Sequence, residues 1–186
     1  MSPRELANAL YGLALLLRFD GRAWEFFDKS PRGFWTSYTA ALIVAPFHFG
    51  HLALVYSREP TAMGPIVFAI VQGLSYVLSW TLFPFAMIYA ARFLGRTPLY
   101  FWHIVPYNWF QLPVGLALGV FSLAADFGLL PLDAYRFATL AAMVVMAIWS
   151  TFIAAVGLRI TVGSALSLVV LDFTLAFTLA ALVQRI

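Results

Sequence analysis

The sequence predicts an all-α, polytopic integral membrane protein: five transmembrane helices preceded by an interfacial amphipathic helix. Three observations carry this. The 186 residues are 63% hydrophobic and only 10% charged, whereas soluble domains run at roughly half apolar and about a quarter charged. The mean hydropathy is +0.90. Five apolar runs each reach the ~20 helical residues needed to cross ~30 Å of hydrocarbon. With so little polar side chain to cover a water-facing surface, lipid must be the main solvent.

Residues 1–32 form the interfacial segment. Leu6 to Phe19 is too short to span, and Leu6, Leu10, Leu13 and Leu17 recur at helical spacing with Arg4, Glu5, Asn8 and Arg18 on other faces, so a helix lying in the headgroup layer is expected. The charges of Arg18-Phe-Asp-Gly-Arg22 and the lack of a small-x-small cleavage site predict that the segment is retained. Arg22 to Lys29 mixes aromatics with charges, which suits the interface.

The transmembrane domain, 33–186, is read as spans at roughly 33–57, 64–91, 99–123, 135–158 and 164–183. Ser30-Pro31 gives the first a capping residue followed by proline at the first helical position. Ser57-Arg58-Glu59-Pro60 is expected to be a polar turn. Arg92, Gly95 and Arg96 close the second span. Asp126, Gly128, Pro131 and Asp133 form the turn after the third, and Arg159 to Gly163 joins the last two. Short turns make successive helices antiparallel. No internal repeat is visible, so no inverted-repeat argument is available.

Basic residues orient the chain. The N-terminal side, side A, carries Arg4, Arg18, Arg22, Lys29, Arg32, Arg92, Arg96 and Arg159; side B carries Arg58, Arg136 and Arg185. That bias predicts side A in the cytoplasm and a periplasmic C-terminus, in a bacterial inner membrane. A single lysine among ten arginines fits a GC-rich bacterial genome. The net charge of +3 is spread over these loops rather than clustered on a soluble fold, so no nucleic-acid partner is expected. The absence of cysteine excludes disulfides, thiolate nucleophiles and thiolate metal sites. No nucleophile elbow, phosphate loop, metal-binding helix motif or catalytic carboxylate pair is present, so an enzyme is not expected.

The polar residues inside the spans are the candidates for function. Asp172 is the one acidic residue in the fifth span, and a carboxylate in hydrocarbon costs at least ~2.5–3.5 kcal/mol. It sits ~12 Å from side A at ~1.5 Å of rise per residue, and Asn108 in the third span sits at ~13–14 Å by the same measure. Tyr76 on the second span comes near that level, Tyr107 adjoins Asn108, and Gln111 follows. A cluster of Asp172, Asn108, Tyr107, Tyr76 and Gln111 is therefore expected, serving as interhelical packing glue, as a proton- or ion-coupling group, or as a ligand contact. His48 and His51 share a helix face, with His103 in the third span. Together they hint at a metal or haem, but His103 lies ~6 Å and His48 ~22 Å from side A, too far apart in depth for one shared metal. One histidine with an external ligand, or with haem or pigment held against a partner chain, stays open. No other cofactor is expected. Pro46, Pro84, Pro106 and Pro113 interrupt three spans and free backbone carbonyls, among them that of Trp102, to line a cavity or bind a cation. Gly115 and Gly119 permit close helix approach.

The five-span layout with Trp149, Gly157-Leu-Arg159, Gly163 and Ala165 near its end, and Asp28-Lys-Ser-Pro-Arg-Gly-Phe-Trp35 before the first span, resembles the Yip1-domain family. Pro106-Tyr-Asn108 differs from that family's Tyr-Gly-Tyr signature. The resemblance implies a non-enzymatic membrane-organising or protein-interaction module and no catalytic residue. Two alternatives stand beside it: a small transporter or channel component working through Asp172, and a haem- or pigment-associated subunit using the histidines. The expected partners are the bilayer and another membrane protein or a second copy.

Overall fold

The computed structural model describes residues 2–58 and 63–185. It is all-α, with five helices long and apolar enough to cross a membrane behind a shorter N-terminal helix. Helix α1, Pro3–Leu16, opens on a capping box: Ser2 Oγ accepts from the Glu5 N–H while Glu5 accepts from the Ser2 N–H, satisfying two orphan donors reciprocally. The helix ends three residues earlier than the periodicity predicts, because Phe19 turns into the left-handed region (φ 57°) and the chain doubles back into a 3₁₀ turn, Gly21–Glu25. Its apolar stripe is also less lipid-facing than an interfacial helix implies: Leu13 and Leu16 are buried, packed with the 3₁₀ turn and the end of the bundle.

The first span, Pro31–Arg58, is in fact two helices, α2 (Pro31–Ser37) and α3 (Thr39–Arg58), broken at Tyr38. Ser30 caps α2 through the Gly33 N–H. Ser57 and Arg58 belong to α3 rather than to a turn, and Glu59-Pro60 lies outside the described residues. Helix α4 (Pro65–Phe93), α5 (Tyr100–Asp126, led in by a 3₁₀ turn at Thr97–Leu99), α6 (Leu132–Leu158) and α7 (Val162–Val183) complete the bundle. At 29 residues, α4 is ~43 Å long by its rise, so it must tilt or protrude from a ~30 Å core.

Four helix ends share one stop. At α4, the Arg96 N–H reaches Ala91 O and the Gly95 N–H reaches Arg92 O around a left-handed Gly95; at α5, Leu129 reaches Ala124 and Gly128 reaches Ala125. These are Schellman closures, in which glycine meets the positive φ without a Cβ penalty. Phe19 and Arg159 (φ 54°) hold the equivalent position in α1 and α6 without being glycine.

Helix α5 is central. Every residue from His103 to Phe110 is buried, and α5 packs most extensively on α3 and α6. Three glycine contacts set these approaches. A β-carbon at Gly119 would stand 2.6 Å from Phe47 Cβ and one at Gly115 2.9 Å from the Val44 methyls, so the GxxxG stripe seats α3. At Gly157 it would stand 2.8 Å from the Trp102 carbonyl, which is how α6 reaches α5. Helix α7 packs on α6 and α4. Helix α4 leans on α7 and α5, and its backbone stands off from α3, its neighbour in sequence, which it meets through side chains: Tyr76 on His48 and Phe49, and Phe68 on Tyr56.

The N-terminal segment closes the side-A end. The Trp24 indole N–H donates to the Trp102 carbonyl at 2.7 Å, so the acceptor freed by Pro106 is taken by an indole rather than left for a cation. Lys29 donates to the Trp24 carbonyl. Its Nζ lies 4.7 Å from the Trp102 ring centroid, with Arg159 Cζ 5.7 Å from the same ring.

Candidate functional site

One cavity of about 290 Å³ runs inside the bundle, walled by α3, α4, α5 and α7 with Met146 of α6. Along α5 its lining extends from Tyr107 to Ser122, ~22 Å of rise from mid-span toward side B. Asp172, Asn108, Tyr107, Tyr76 and Gln111 all face it, and so do His48 and His51. His103 does not. It is 1% exposed, sealed one turn below Tyr107 with neither ring nitrogen hydrogen-bonded among the described residues.

The pairing within this set differs from the simplest expectation. Asp172 and Asn108 share the cavity but not a hydrogen bond. The Tyr107 hydroxyl donates to Asp172 Oδ2 at 2.7 Å, and Asn108 Nδ2 donates to Ser37 Oγ at 2.8 Å. Consecutive helical residues point ~100° apart at 3.6 residues per turn, so Tyr107 serves α7 while Asn108 serves the end of α2. Ser37 passes the chain on to the Phe34 carbonyl. Each bond meets a polar group that hydrocarbon would otherwise leave unsatisfied. Tyr76 donates to the Ala41 carbonyl at 2.6 Å, in the turn ahead of Pro46. Its ring lies 4.8 Å from that of His48.

His51 carries a contact the sequence did not announce. Its Nδ1 lies 2.6 Å from Asp126 Oδ2. Asp126 falls in a predicted turn, yet it is the last residue of α5, one helical turn beyond the cavity-lining Ser122. Only α5 running three residues longer than its apolar pattern brings that carboxylate against α3. Ser37, the Asn108 partner, was likewise invisible without the break at Tyr38.

No family model matches the chain, and comparison finds no similar curated protein and no similar solved structure. The reading of the site therefore rests on its chemistry. Among the described residues the lining holds one carboxylate, that of Asp172, and no lysine or arginine. Oδ2 is engaged by Tyr107, while Oδ1 and the His48 ring accept and donate no hydrogen bond among the described residues. A space of this size with several polar walls can hold water or a small polar guest. No group of three His, Asp or Glu side chains comes together as a metal-ligand set among the described residues.

Proposed function

We propose that this chain is a non-enzymatic membrane protein that binds a small cation in the Asp172 cavity, as a small transporter component. The observation that carries the reading is the convergence of Asp172, Asn108, Gln111, Tyr76 and His48 on one space. Pairwise packing glue would need no shared void. A carboxylate with Tyr107 on one oxygen presents the other to a guest, and among the described residues no lysine or arginine in the wall competes for it. A protonated amine matches it in charge and in hydrogen-bond donors. We place side A in the cytoplasm of a bacterial inner membrane on the bias of basic residues. The cavity then opens toward the outer half of the bilayer.

Binding of butylamine to the purified protein, followed by calorimetry, tests this. Removing a charged partner costs ~1.5–3 kcal/mol, so Asp172→Asn is expected to weaken binding by roughly 10- to 150-fold. Unchanged affinity in that variant, with the fold intact by circular dichroism, overturns the reading.

A second reading, a membrane-organising module like the Yip1-domain proteins, draws support from α1, whose Leu10 and Tyr11 stay exposed beside the buried Leu13. On that reading, Leu10→Gln with Tyr11→Gln lowers partitioning of a peptide of residues 1–29 into lipid vesicles severalfold. Equal partitioning counts against it.

A further inference from the structure

We infer that the gap between α3 and α4 is a side door from the bilayer, through which a single-chain amphiphile with a protonated amine head reaches Asp172. The inference rests on the cavity reading above and goes beyond it by naming the guest and its route.

The two helices are consecutive in sequence and joined by a short segment, yet their backbones stand apart and side chains bridge them. Between them lies a second space of about 720 Å³, lined by apolar groups such as Leu42, Ala45, Ala69, Ile70 and Leu74. Leu42 is 73% and Leu74 61% exposed, so in a membrane this space faces hydrocarbon. Its walls are mostly apolar, with Tyr38, Thr39 and Thr81 among the polar exceptions, so it suits an alkyl chain.

The cleft adjoins the polar cavity across one layer of side chains. Tyr76 and Trp80 line both, forming the wall between a hydrocarbon-facing slot and a carboxylate. Beside the slot, the Tyr76 hydroxyl donates to Ala41 O and its ring lies against His48 and Phe49, so Tyr76 is the bolt on the door, while Tyr56 holds the far end through Phe68 and the Met63 carbonyl. A molecule lying in the slot with its head past Tyr76 puts its tail on apolar side chains and its head beside Asp172, His48 and Gln111.

Charge selects the head. A phosphate or carboxylate head would enter a wall that carries a carboxylate and, among the described residues, no lysine or arginine, with only the His48 and His51 imidazoles to meet it. An alkylammonium is complementary. Gly73 marks where the slot can be filled: apart from its chain neighbours and its own helix backbone, nothing lies within 4 Å of where its β-carbon would stand, so a side chain starts there in open space, and Gly73→Phe is the first plug. Ala69→Phe is a second plug further along the same wall.

Protein in phosphatidylcholine nanodiscs, with empty nanodiscs as the partition control, is titrated with butylamine, dodecylamine and dodecanol, following tryptophan emission. The expected result is that both amines bind, dodecanol at least tenfold more weakly than dodecylamine, and that Gly73→Phe or Ala69→Phe weakens dodecylamine at least tenfold while leaving butylamine unchanged. Dodecylamine binding that survives both plugs overturns the side door and leaves the cavity reading standing. Dodecanol binding as tightly as dodecylamine, lost in the plugged variants but not in Asp172→Asn, overturns it too, since the slot then holds hydrocarbon alone. Failure of butylamine to bind, or its indifference to Asp172→Asn, removes the cavity reading itself.

Discussion

Tyr107 and Asn108 show how much one residue of offset decides. They adjoin on α5, yet one hydroxyl fixes Asp172 of α7 and one amide fixes Ser37 of α2, so a single helical turn ties three elements around the cavity. Interhelical hydrogen bonds of this kind contribute ~0.6 kcal/mol on average in a membrane, so they orient the site more than they hold the bundle. Outside the membrane, Asp20 does comparable local work. Its carboxylate accepts from the Arg22 guanidinium and from the Arg22 N–H, capping the 3₁₀ turn. The guanidinium bonds first, and the backbone N–H second, lower its pKa from 3.8 to about 2. A depressed carboxylate stabilises the fold fully above its ordinary value, and that contribution is lost as pH falls through the folded one. A fluorophore on Arg18→Cys, unique because the chain has no cysteine, is therefore expected to report an unchanged N-terminal turn from neutral pH down to ~4 and a transition toward ~2. In Asp20→Asn the Asp20 contribution to that transition is expected to vanish. An identical acid profile in the variant would rule Asp20 out as its source.

At the scale of elements, the helix stops carry the information. Gly95 and Gly128 meet their positive φ at no steric cost, but Phe19 and Arg159 do not, and the left-handed region costs an ordinary residue ~1–2 kcal/mol. Both are held by aromatic neighbours at the side-A end. Phe19 stacks on Trp149 at 4.4 Å and meets Phe152 edge-on at 5.2 Å, and Arg159 sits over Trp102. An exposed cation–π contact contributes only ~0.5–1 kcal/mol, less than the backbone cost it offsets. Arg159→Gly is thus expected to leave thermal stability in detergent unchanged or raise it by up to ~1 kcal/mol. Arg159→Ala keeps the strain, loses the contact, and should fall by about 0.5–1 kcal/mol. A thermal-unfolding series that placed Ala above Gly would mean the left-handed turn is not under strain. The spans themselves were legible because apolar length and short turns are one-dimensional signals. The break at Tyr38, the three-residue extension of α5 to Asp126 and the divergence of α4 from α3 were not. Each is decided by which helix packs where, and hydrophobicity alone gives five apolar runs no preferred neighbours.

For the whole molecule, the same distinction separates what the chain's pattern could and could not show about the site. Equal depth put Asp172, Asn108, Tyr107 and Tyr76 near one level because rise per residue is fixed, and the bundle sets them around one cavity. Depth carries no azimuth, so it left His48 apart from them although it faces the same space; it did set His103 closer to side A, and His103 lies outside the cavity. Sidedness is the global property on which access to that cavity depends. Were all five candidate helices to cross, the two termini would lie on opposite faces. The end that carries Trp24, Lys29, Trp102 and Arg159 gathers the N-terminal segment with the α4–α5 and α6–α7 turns, and with them most of the basic residues. If the positive-inside bias governs insertion, a reporter that fluoresces only in the cytoplasm should be bright when fused before Ser2 and dark when fused after Arg185, and a periplasm-active enzyme reporter should show the reverse. Moving charge should weaken that preference: Arg92→Gln with Arg96→Gln and Arg159→Gln leaves five basic residues on side A against three on side B, and a mixed population is expected. Matching signals from both termini of the unaltered chain would contradict an odd number of crossings. Reversed signals would keep the crossings but turn the cavity toward the cytoplasm, so that its polar guest would come from inside the cell.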